Sequence, residues 1–129
     1  SSADQLNQRE CPLDIAILGM GDDGHFASLF PSEIAVPGLD DGQVGFVATS
    51  ASGVPAVPRI SMTLKHILSA QLVVLLVSSE SKEAKVMAGL RSIDAMNPIS
   101  YLLASDDPII VEWPDRTLTM IQLSLFFVI

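Results

Sequence analysis

The stretch that decides the fold reads Leu13-Asp14-Ile15-Ala16-Ile17-Leu18-Gly19-Met20-Gly21-Asp22-Asp23-Gly24-His25-Phe26-Ala27-Ser28-Leu29-Phe30-Pro31. Residues 13–18 are largely apolar and β-branched and end at a glycine, which predicts a parallel strand buried on both faces in the interior of a sheet. Residues 25–29 can form one helical turn, which Pro31 and Pro37 prevent from growing longer. The stretch therefore predicts a strand, a glycine-rich loop and a short helix.

Segments typical of strands and of helices alternate downstream of this stretch. Apolar and β-branched runs predict strands at residues 44–49, 71–77 and 109–113. Helical spacing and capping signals predict helices at residues 61–69 and 82–90, with a helical turn or an extended segment at 98–103. A connection rich in glycine and proline, residues 50–58, is expected to be irregular. This alternation indicates an α/β fold built on a parallel sheet.

The last segment, residues 118–129, is a bare apolar run that a free terminus should not expose to water. We expect it to pack as a final helix or strand. The alternatives are a contact with another molecule and a terminus that is not native.

The charge of the chain limits its partners. Of the 129 residues, 49% are apolar and 17% are charged, which is typical of a globular protein and not of a disordered one. The formal net charge of -8 would repel nucleic acid, so we expect no nucleic-acid partner. An anionic small molecule can still bind where a few basic side chains and backbone N–H groups converge.

The single cysteine and the lengths of the apolar runs indicate the cellular compartment. Cys11 excludes a disulfide within the chain and any cysteine metal cluster, and we expect an inert buried thiol. The chain opens without the basic and apolar regions of a secretion signal, and its strongest apolar runs, residues 72–77 and 118–129, are shorter than the ~20 residues that span a bilayer. We therefore expect a cytoplasmic protein without a membrane segment.

The loop of residues 19–24 satisfies the pattern Gly-x-Gly-x-x-Gly, which follows a strand in dinucleotide-binding proteins. Such a protein needs a long crossover helix after the loop and then a strand that ends in an acid. Here Pro31 and Pro37 interrupt the helix, and Asp40 and Asp41 precede the next predicted strand. Two acids inside the loop would also repel a pyrophosphate, so dinucleotide binding is disfavoured.

His25 and Asp23 form the candidate catalytic pair. His25 follows a glycine at the start of the predicted helix, where unpaired backbone N–H groups and the helix dipole disfavour the charged imidazolium. A neutral imidazole is a usable general base, and Asp23 could orient it or hold a water molecule. Gly21 and Gly24 would let backbone N–H groups approach a developing negative charge. The set suits ester hydrolysis, although a loop histidine with a satisfied hydrogen bond and a capping Asp23 would give the same pattern.

The sequence from Gly19 to Pro31 resembles the central signature of 6-phosphogluconolactonases. The related glucosamine-6-phosphate isomerases share the Gly-x-Gly-x-Asp-Gly-His kernel but typically continue Ile-Ala-Phe-Asn-Glu-Pro, where this chain has Ala27-Ser28-Leu29-Phe30-Pro31. Four further segments keep the lactonase order: Val57-Pro58-Arg59-Ile60-Ser61-Met62-Thr63-Leu64, Val77-Ser78-Ser79-Glu80-Ser81-Lys82, Pro98-Ile99-Ser100 and Val111-Glu112-Trp113. The resemblance covers residues 13–113 and corresponds to the C-terminal half of the family pattern.

The resemblance implies a fold, a reaction and a set of roles. The fold would be α/β, a parallel-sheet, Rossmann-like layered fold of the sugar-phosphate isomerase/lactonase type. The reaction would be hydrolysis of 6-phosphoglucono-δ-lactone to 6-phosphogluconate in the oxidative pentose phosphate pathway, without a metal or an organic cofactor. His25 would be the general base with Asp23 supporting it, and Arg59 and Lys82 would bind the substrate phosphate.

Three other residues are expected to lie outside the site. We interpret Asp22 as a solvated loop acid, His66 as an exposed helix residue and Trp113 as part of the core.

The chain departs from the family pattern at both ends. Nothing in it matches the Gly-Gly-Ser/Thr-x-Pro-like phosphate loop or the Asp-Glu-Arg segment in the N-terminal half of the family. We therefore interpret residues 1–129 as a single partial domain that lacks this half, with an atypical tail at residues 114–129. An uncovered sheet edge or the apolar tail would permit self-association.

Two other functions stay open on the sequence alone. One is isomerisation and deamination of an amino-sugar phosphate, which the residues after His25 disfavour. The other is noncatalytic binding of a sugar phosphate, or a merely structural role.

Overall fold

The computed structural model of the chain describes residues 2–9, 12–113, 115, 117–121 and 124–128. Its helices are α1 (Ser2–Asn7), α2 (Leu64–Leu68), α3 (Glu80–Arg91) and α4 (Ile99–Leu103). Its strands are β1 (Ile15–Leu18), β2 (Phe46–Ala48), β3 (Ile60–Met62), β4 (Leu72–Leu76), β5 (Ile109–Glu112), β6 (Thr117–Ile121) and β7 (Ser124–Val128).

Five of these strands form one sheet in the order β1-β4-β5-β6-β7. β1 pairs in parallel with β4, with Ile15 opposite Leu72, and β4 pairs in parallel with β5, with Val74 opposite Ile110. β6 and β7 extend the sheet in antiparallel orientation, and β2 and β3 form a separate antiparallel pair. The predicted α/β fold with a parallel sheet is confirmed, and an antiparallel pair at one side is added to it.

One face of the parallel strands carries the core. Ala16 and Leu18 of β1 and Val73 and Leu75 of β4 are buried. They belong to one cluster with residues of α3 and α4, which are Val86, Ile99, Leu102 and Leu103. Burial of each large aliphatic side chain in such a cluster contributes about 1.5–3 kcal/mol. This packing fixes α3 and α4 against the strands.

The prediction that the first strand is buried on both faces is wrong. Ile15 and Ile17 are 56% and 65% exposed, while the residues between and after them are buried. β1 also lies at the edge of the sheet that the described residues form. A continuous apolar run has the same composition whether or not a second layer covers it, so the sequence could not distinguish the two cases.

The prediction of a short helix at residues 25–29 is also wrong. Phe26 and Leu29 instead form an isolated antiparallel bridge, and the Leu29 N–H donates to the Phe26 carbonyl at 3.0 Å. Ala27 has a φ of 49°, which is incompatible with a right-handed helix. The segment is a tight turn, so His25 does not lie at a helix N-terminus.

The helix predicted at residues 82–90 is confirmed as part of α3. Ser79 caps this helix, because its Oγ accepts a hydrogen bond from the Lys82 N–H at 3.4 Å. Glu80 and Glu83 place negative charge in the first turn, where it stabilises the helix. The capping signal in the sequence therefore identified the start of α3.

The helix predicted at residues 61–69 is only partly present, because its first residues pair with β2 as strand β3. The remaining residues form α2, with Thr63 as its cap. His66 in α2 is 8% exposed, and its ring lies 5.5 Å from the ring of Phe46 in β2. The prediction of an exposed His66 is wrong, since helical spacing does not reveal that β2 packs beside α2. Trp113 belongs to the core, as predicted.

The backbone of the tail continues the sheet. Thr117–Ile121 pairs with β5, and Ser124–Val128 pairs with Thr117–Ile121. The backbone therefore forms two strands where a final helix or strand was expected, while residues 122, 123 and 129 lie outside the described part. Cys11, where a buried thiol is expected, also lies outside the described residues. No helix within the described ranges combines the length and the apolarity needed to cross a membrane.

Candidate active site

The loop of residues 19–24 leaves the carboxyl end of β1. β4 runs parallel to β1 and leads into α3, so the loop and the start of α3 lie at the same edge of the sheet. A hydrogen bond joins them, because Oγ of Ser81 donates to Oδ1 of Asp22 at 2.8 Å. Asp22 is exposed, as predicted. Ligands of open α/β sheets bind at this edge, which makes it the place for a site.

Two backbone hydrogen bonds close the loop. The Gly21 N–H donates to the His25 carbonyl at 2.9 Å, and the Gly24 N–H donates to the Gly21 carbonyl at 3.0 Å. Both N–H groups therefore have partners inside the loop. The two glycines act through the shape of the loop, and their role toward a substrate stays a prediction.

The absence of a side chain at Gly21 leaves the space that the ring of His25 occupies. A Cβ atom at position 21 would lie 2.2 Å from Cε1 and 2.3 Å from Nδ1 of His25. Any residue with a side chain would displace the ring. The glycine is therefore a steric requirement of the histidine position.

Gly24 depends in the same way on Asn97. It has a φ of 87°, and a Cβ atom there would lie 2.0 Å from Oδ1 of Asn97. The Asn97 side chain is buried, and its Nδ2 donates to the Lys85 carbonyl at 2.9 Å, which fixes the orientation of the amide. The Ile99 N–H donates to the Gly24 carbonyl at 2.9 Å. The loop is thus held against the segment that leads into α4.

Asp23 and His25 form a direct hydrogen-bonded pair. Nδ1 of His25 lies 2.5 Å from Oδ1 of Asp23, and the backbone N–H of His25 donates to the same oxygen at 3.0 Å. The two side chains are 31% and 49% exposed for His25 and Asp23 respectively. A carboxylate only accepts hydrogen bonds, so Nδ1 carries the shared proton and Nε2 is left with a free lone pair in the neutral ring.

The protonation of Asp23 follows from these contacts. Partial burial acts to raise the pKa of Asp23, but the hydrogen bonds from the backbone and the ring of His25, together with the attraction of its charge, outweigh this effect. The pKa of Asp23 therefore lies below its ordinary value of 3.8. The carboxylate is ionised at neutral pH and keeps its role as an acceptor.

Phe30 lies beside this pair. The centroid of its ring is 4.5 Å from that of His25, with 35° between the ring planes. Cζ of the Arg59 guanidinium lies 5.1 Å from the Phe30 centroid. The aromatic ring therefore contacts both His25, the candidate base, and Arg59, the residue expected to bind the substrate phosphate.

The guanidinium of Arg59 organises the irregular loop of residues 50–58. It donates to the carbonyls of Ser52, of Val57 at 3.1 Å and of Pro55 at 2.6 Å. A guanidinium has five N–H donors. Three of them are engaged with the loop, so the described residues leave two for a ligand.

A cleft of about 490 Å³ brings most of these residues together, and Asp23, His25, Phe30 and Arg59 line it. Lys82 is not among the residues that line the cleft. It lies in the first turn of α3, where its Nζ donates to Oγ of Ser78 at 3.3 Å. Within the described residues, no group of three or more His, Cys, Asp or Glu side chains could hold a metal ion.

Two residues of the site have no role in the sequence interpretation. Phe30 stands inside the signature, but nothing in its spacing shows that it would contact His25 and Arg59. Asn97 precedes a proline, which is an ordinary turn signal, and its contact with Gly24 joins positions far apart in the chain. The contact of Phe30 with Arg59 and that of Asn97 with Gly24 depend on tertiary packing.

Replacement of Gly24 with alanine tests the loop geometry. We expect Gly24→Ala to lower the free energy of unfolding by about 2–4 kcal/mol, through backbone strain and the clash with Asn97. Denaturant unfolding would measure the change. Gly42→Ala is the matched control, because Gly42 has a φ of 71° but open space around its Cβ position. Equal losses in the two variants would show that the Asn97 contact contributes nothing.

The family of the chain is shown by its sequence. The sequence model of the family described as glucosamine-6-phosphate isomerases/6-phosphogluconolactonase matches residues 1–111. The chain belongs to this family, in agreement with the resemblance of its central signature.

The similar relatives are named as lactonases. The chain is 37% identical over 101 residues to a 6-phosphogluconolactonase of Caulobacter vibrioides, which covers 74% of this chain and 41% of the relative. It is 38% identical over 117 residues to a 6-phosphogluconolactonase of Pseudomonas putida, which covers 86% of this chain and 46% of the relative. The chain thus spans less than half the length of these relatives.

Solved structures agree with the fold. A 6-phosphogluconolactonase of Shewanella baltica matches with a TM-score of 0.69 and 30% identity, over 87% of this chain and 48% of the other. A monomeric glucosamine-6-phosphate deaminase matches with a TM-score of 0.55 and 24% identity, over 79% of this chain and 46% of the other, and supports the fold alone.

Proposed function

We propose that this chain hydrolyses 6-phosphoglucono-δ-lactone to 6-phosphogluconate. The observation that carries the proposal is the hydrogen bond between His25 and Asp23 at 2.5 Å, in a cleft that also contains Arg59. Membership of a family whose similar relatives are named 6-phosphogluconolactonase supports the choice of substrate. The turn Ala27-Ser28-Leu29-Phe30-Pro31 favours lactone hydrolysis over isomerisation of an amino-sugar phosphate.

In the proposed mechanism His25 is the general base. Asp23 holds the proton on Nδ1, so Nε2 accepts a proton from a water molecule as its oxygen attacks the lactone carbonyl carbon. The C–O bond of the ring then breaks, and Nε2 returns the proton to the departing ring oxygen. The products are the carboxylic acid and the free hydroxyl group, and the enzyme regains its initial state without a cofactor.

The substrate phosphate would be held by Arg59, which lines the cleft, and by Lys82, which lies in the first turn of α3 outside the cleft lining. Arg59 has two N–H donors that the loop does not use, in a planar arrangement that suits a phosphate. Lys82 at the start of α3 would supply a second charge together with the helix N-terminus, whose N–H groups favour anions. These positive groups offset the negative charge of Asp22 and Asp23 around the cleft. Gly21 and Gly24 would contribute by keeping the loop in the shape that leaves the cleft open.

We also propose a cytoplasmic location, because a chain with a single cysteine suits a reducing compartment. The exposed Ile15 and Ile17 on edge strand β1 would provide a surface for self-association. Nucleic acid remains an unfavourable partner for a chain with a net charge of -8.

Removal of the base tests the proposed reaction. We expect His25→Ala to lower kcat/KM for 6-phosphoglucono-δ-lactone by about 10²–10⁴-fold, since proton transfer by a positioned base contributes on this order. The rate would be followed by proton release and corrected for spontaneous opening of the lactone, with circular dichroism to check folding. Equal rates for the two proteins would contradict the proposal, and ammonia release from glucosamine-6-phosphate would favour the isomerase-type reaction instead.

Removal of a positive charge tests the phosphate site. We expect Lys82→Ala to raise KM for the phosphorylated lactone about tenfold or more, because a charge-assisted hydrogen bond contributes about 1.5–3 kcal/mol. Activity on unphosphorylated glucono-δ-lactone should not change. Lys85→Ala, one turn further along α3, is the matched control and should leave both values unchanged. The assignment fails if the two lysine variants behave alike.

A further inference from the structure

The ring of Phe30 contacts both His25, the proposed base, and Arg59, which is proposed to bind the substrate phosphate. This ring lies 4.5 Å from the ring of His25, and the guanidinium carbon of Arg59 lies 5.1 Å from its centroid. An aromatic ring is planar and rigid, and its face attracts a cation such as a guanidinium. Phe30 therefore contacts both the candidate base and the arginine proposed to bind the phosphate, so the relative position of these two groups depends on it.

A third contact of the Phe30 ring is made at Cζ, the ring atom farthest from the backbone, by Gly53. Gly53 has a φ of 79°, and a Cβ atom there would lie 2.7 Å from Cζ of Phe30 and 3.2 Å from Nη1 of Arg59. Gly53 belongs to the loop whose carbonyls bind the Arg59 guanidinium. The loop and the side chain of Arg59 thus both pack against the ring of Phe30.

A hydrogen bond also joins the segment that carries Phe30 to the segment that carries Arg59. The N–H of Ser28, in the turn that carries Phe30, donates to Oγ of Ser61 at 3.0 Å. Ser61 is 3% exposed and lies in β3, two residues after Arg59. A partly buried hydrogen bond of this kind resists relative movement of the two segments. This hydrogen bond therefore helps to hold the segment that carries Phe30 and the segment that carries Arg59 in place relative to each other.

We propose that Phe30 is a positioning residue that determines specificity, because it sets the separation between the His25 ring and the Arg59 guanidinium. The cleft then favours lactones that carry a phosphoryl group at the matching distance from the carbonyl, over lactones without one. This inference rests on the function proposed above. If Phe30 were only a packing residue, its loss would reduce hydrolysis of both kinds of lactone by the same factor.

The test compares 6-phosphoglucono-δ-lactone with glucono-δ-lactone in the purified chain, as the ratio of the two kcat/KM values. We expect Phe30→Leu to lower this ratio about tenfold, mainly through a higher KM for the phosphorylated lactone. The reason is that Arg59 loses its cation–π contact with the aromatic ring. Phe46→Leu is the matched control, since Phe46 contacts the other histidine ring, outside the cleft, and should leave the ratio unchanged.

Phe30→Tyr is a second variant, which distinguishes the contact of the ring with Arg59 and Gly53 from its contact with His25. Its hydroxyl group would extend from Cζ toward Gly53 and push the loop and Arg59 outward, while the contact with His25 is kept. We expect the ratio to fall again, with kcat for the unphosphorylated lactone retained. This variant gives an answer even if Phe30→Leu does not fold.

The outcomes separate the inference from the proposed function. An unchanged ratio in both Phe30 variants, or a wild-type chain with no preference for the phosphorylated lactone, overturns the inference while hydrolysis stands. A wild-type chain that hydrolyses neither lactone overturns the proposed function and the inference with it. A lower ratio in the Phe30 variants but not in Phe46→Leu supports the inference.

Discussion

The hydrogen bond between Asp23 and the ring of His25 is the interaction on which the site depends. It joins residues only two positions apart, so a tight loop must turn both side chains toward the same oxygen and nitrogen. Gly21 permits this by leaving the space that the ring occupies, and Gly24 permits it by accepting a positive φ under the side chain of Asn97. The chemistry of the pair thus rests on two positions without a Cβ atom.

The rest of the fold supports this loop from three directions. The parallel pairing of β1 with β4 brings the loop beside the start of α3, where Ser81 binds Asp22. The Ile99 N–H holds the loop against α4, whose packing belongs to the core. Arg59, which precedes β3, and the loop of residues 50–58 line the cleft next to Phe30. A shallow edge of a sheet becomes a cleft because these separate segments converge on it.

The sequence predicted the elements that local signals define and missed the features that tertiary packing decides. The strand before Gly19 and the cap at Ser79 follow from composition and capping rules. The helix expected after His25 failed because Ala27 adopts a left-handed conformation that no propensity indicates, and the buried position of His66 follows from its neighbour β2. For the site, the Asp23 and His25 pair was readable from the motif, whereas the contacts of Phe30 and Asn97 required the fold.

The most direct test of this account is the tautomer of His25, observed by long-range ¹H–¹⁵N NMR of the imidazole nitrogens, with His25→Gln used to assign the signals. We expect the neutral ring to carry its proton on Nδ1, bound to the Asp23 carboxylate, with Nε2 unprotonated and able to accept a proton from water. A neutral ring protonated on Nε2 would contradict this expectation, because the nitrogen proposed to act as the base would then have no free lone pair.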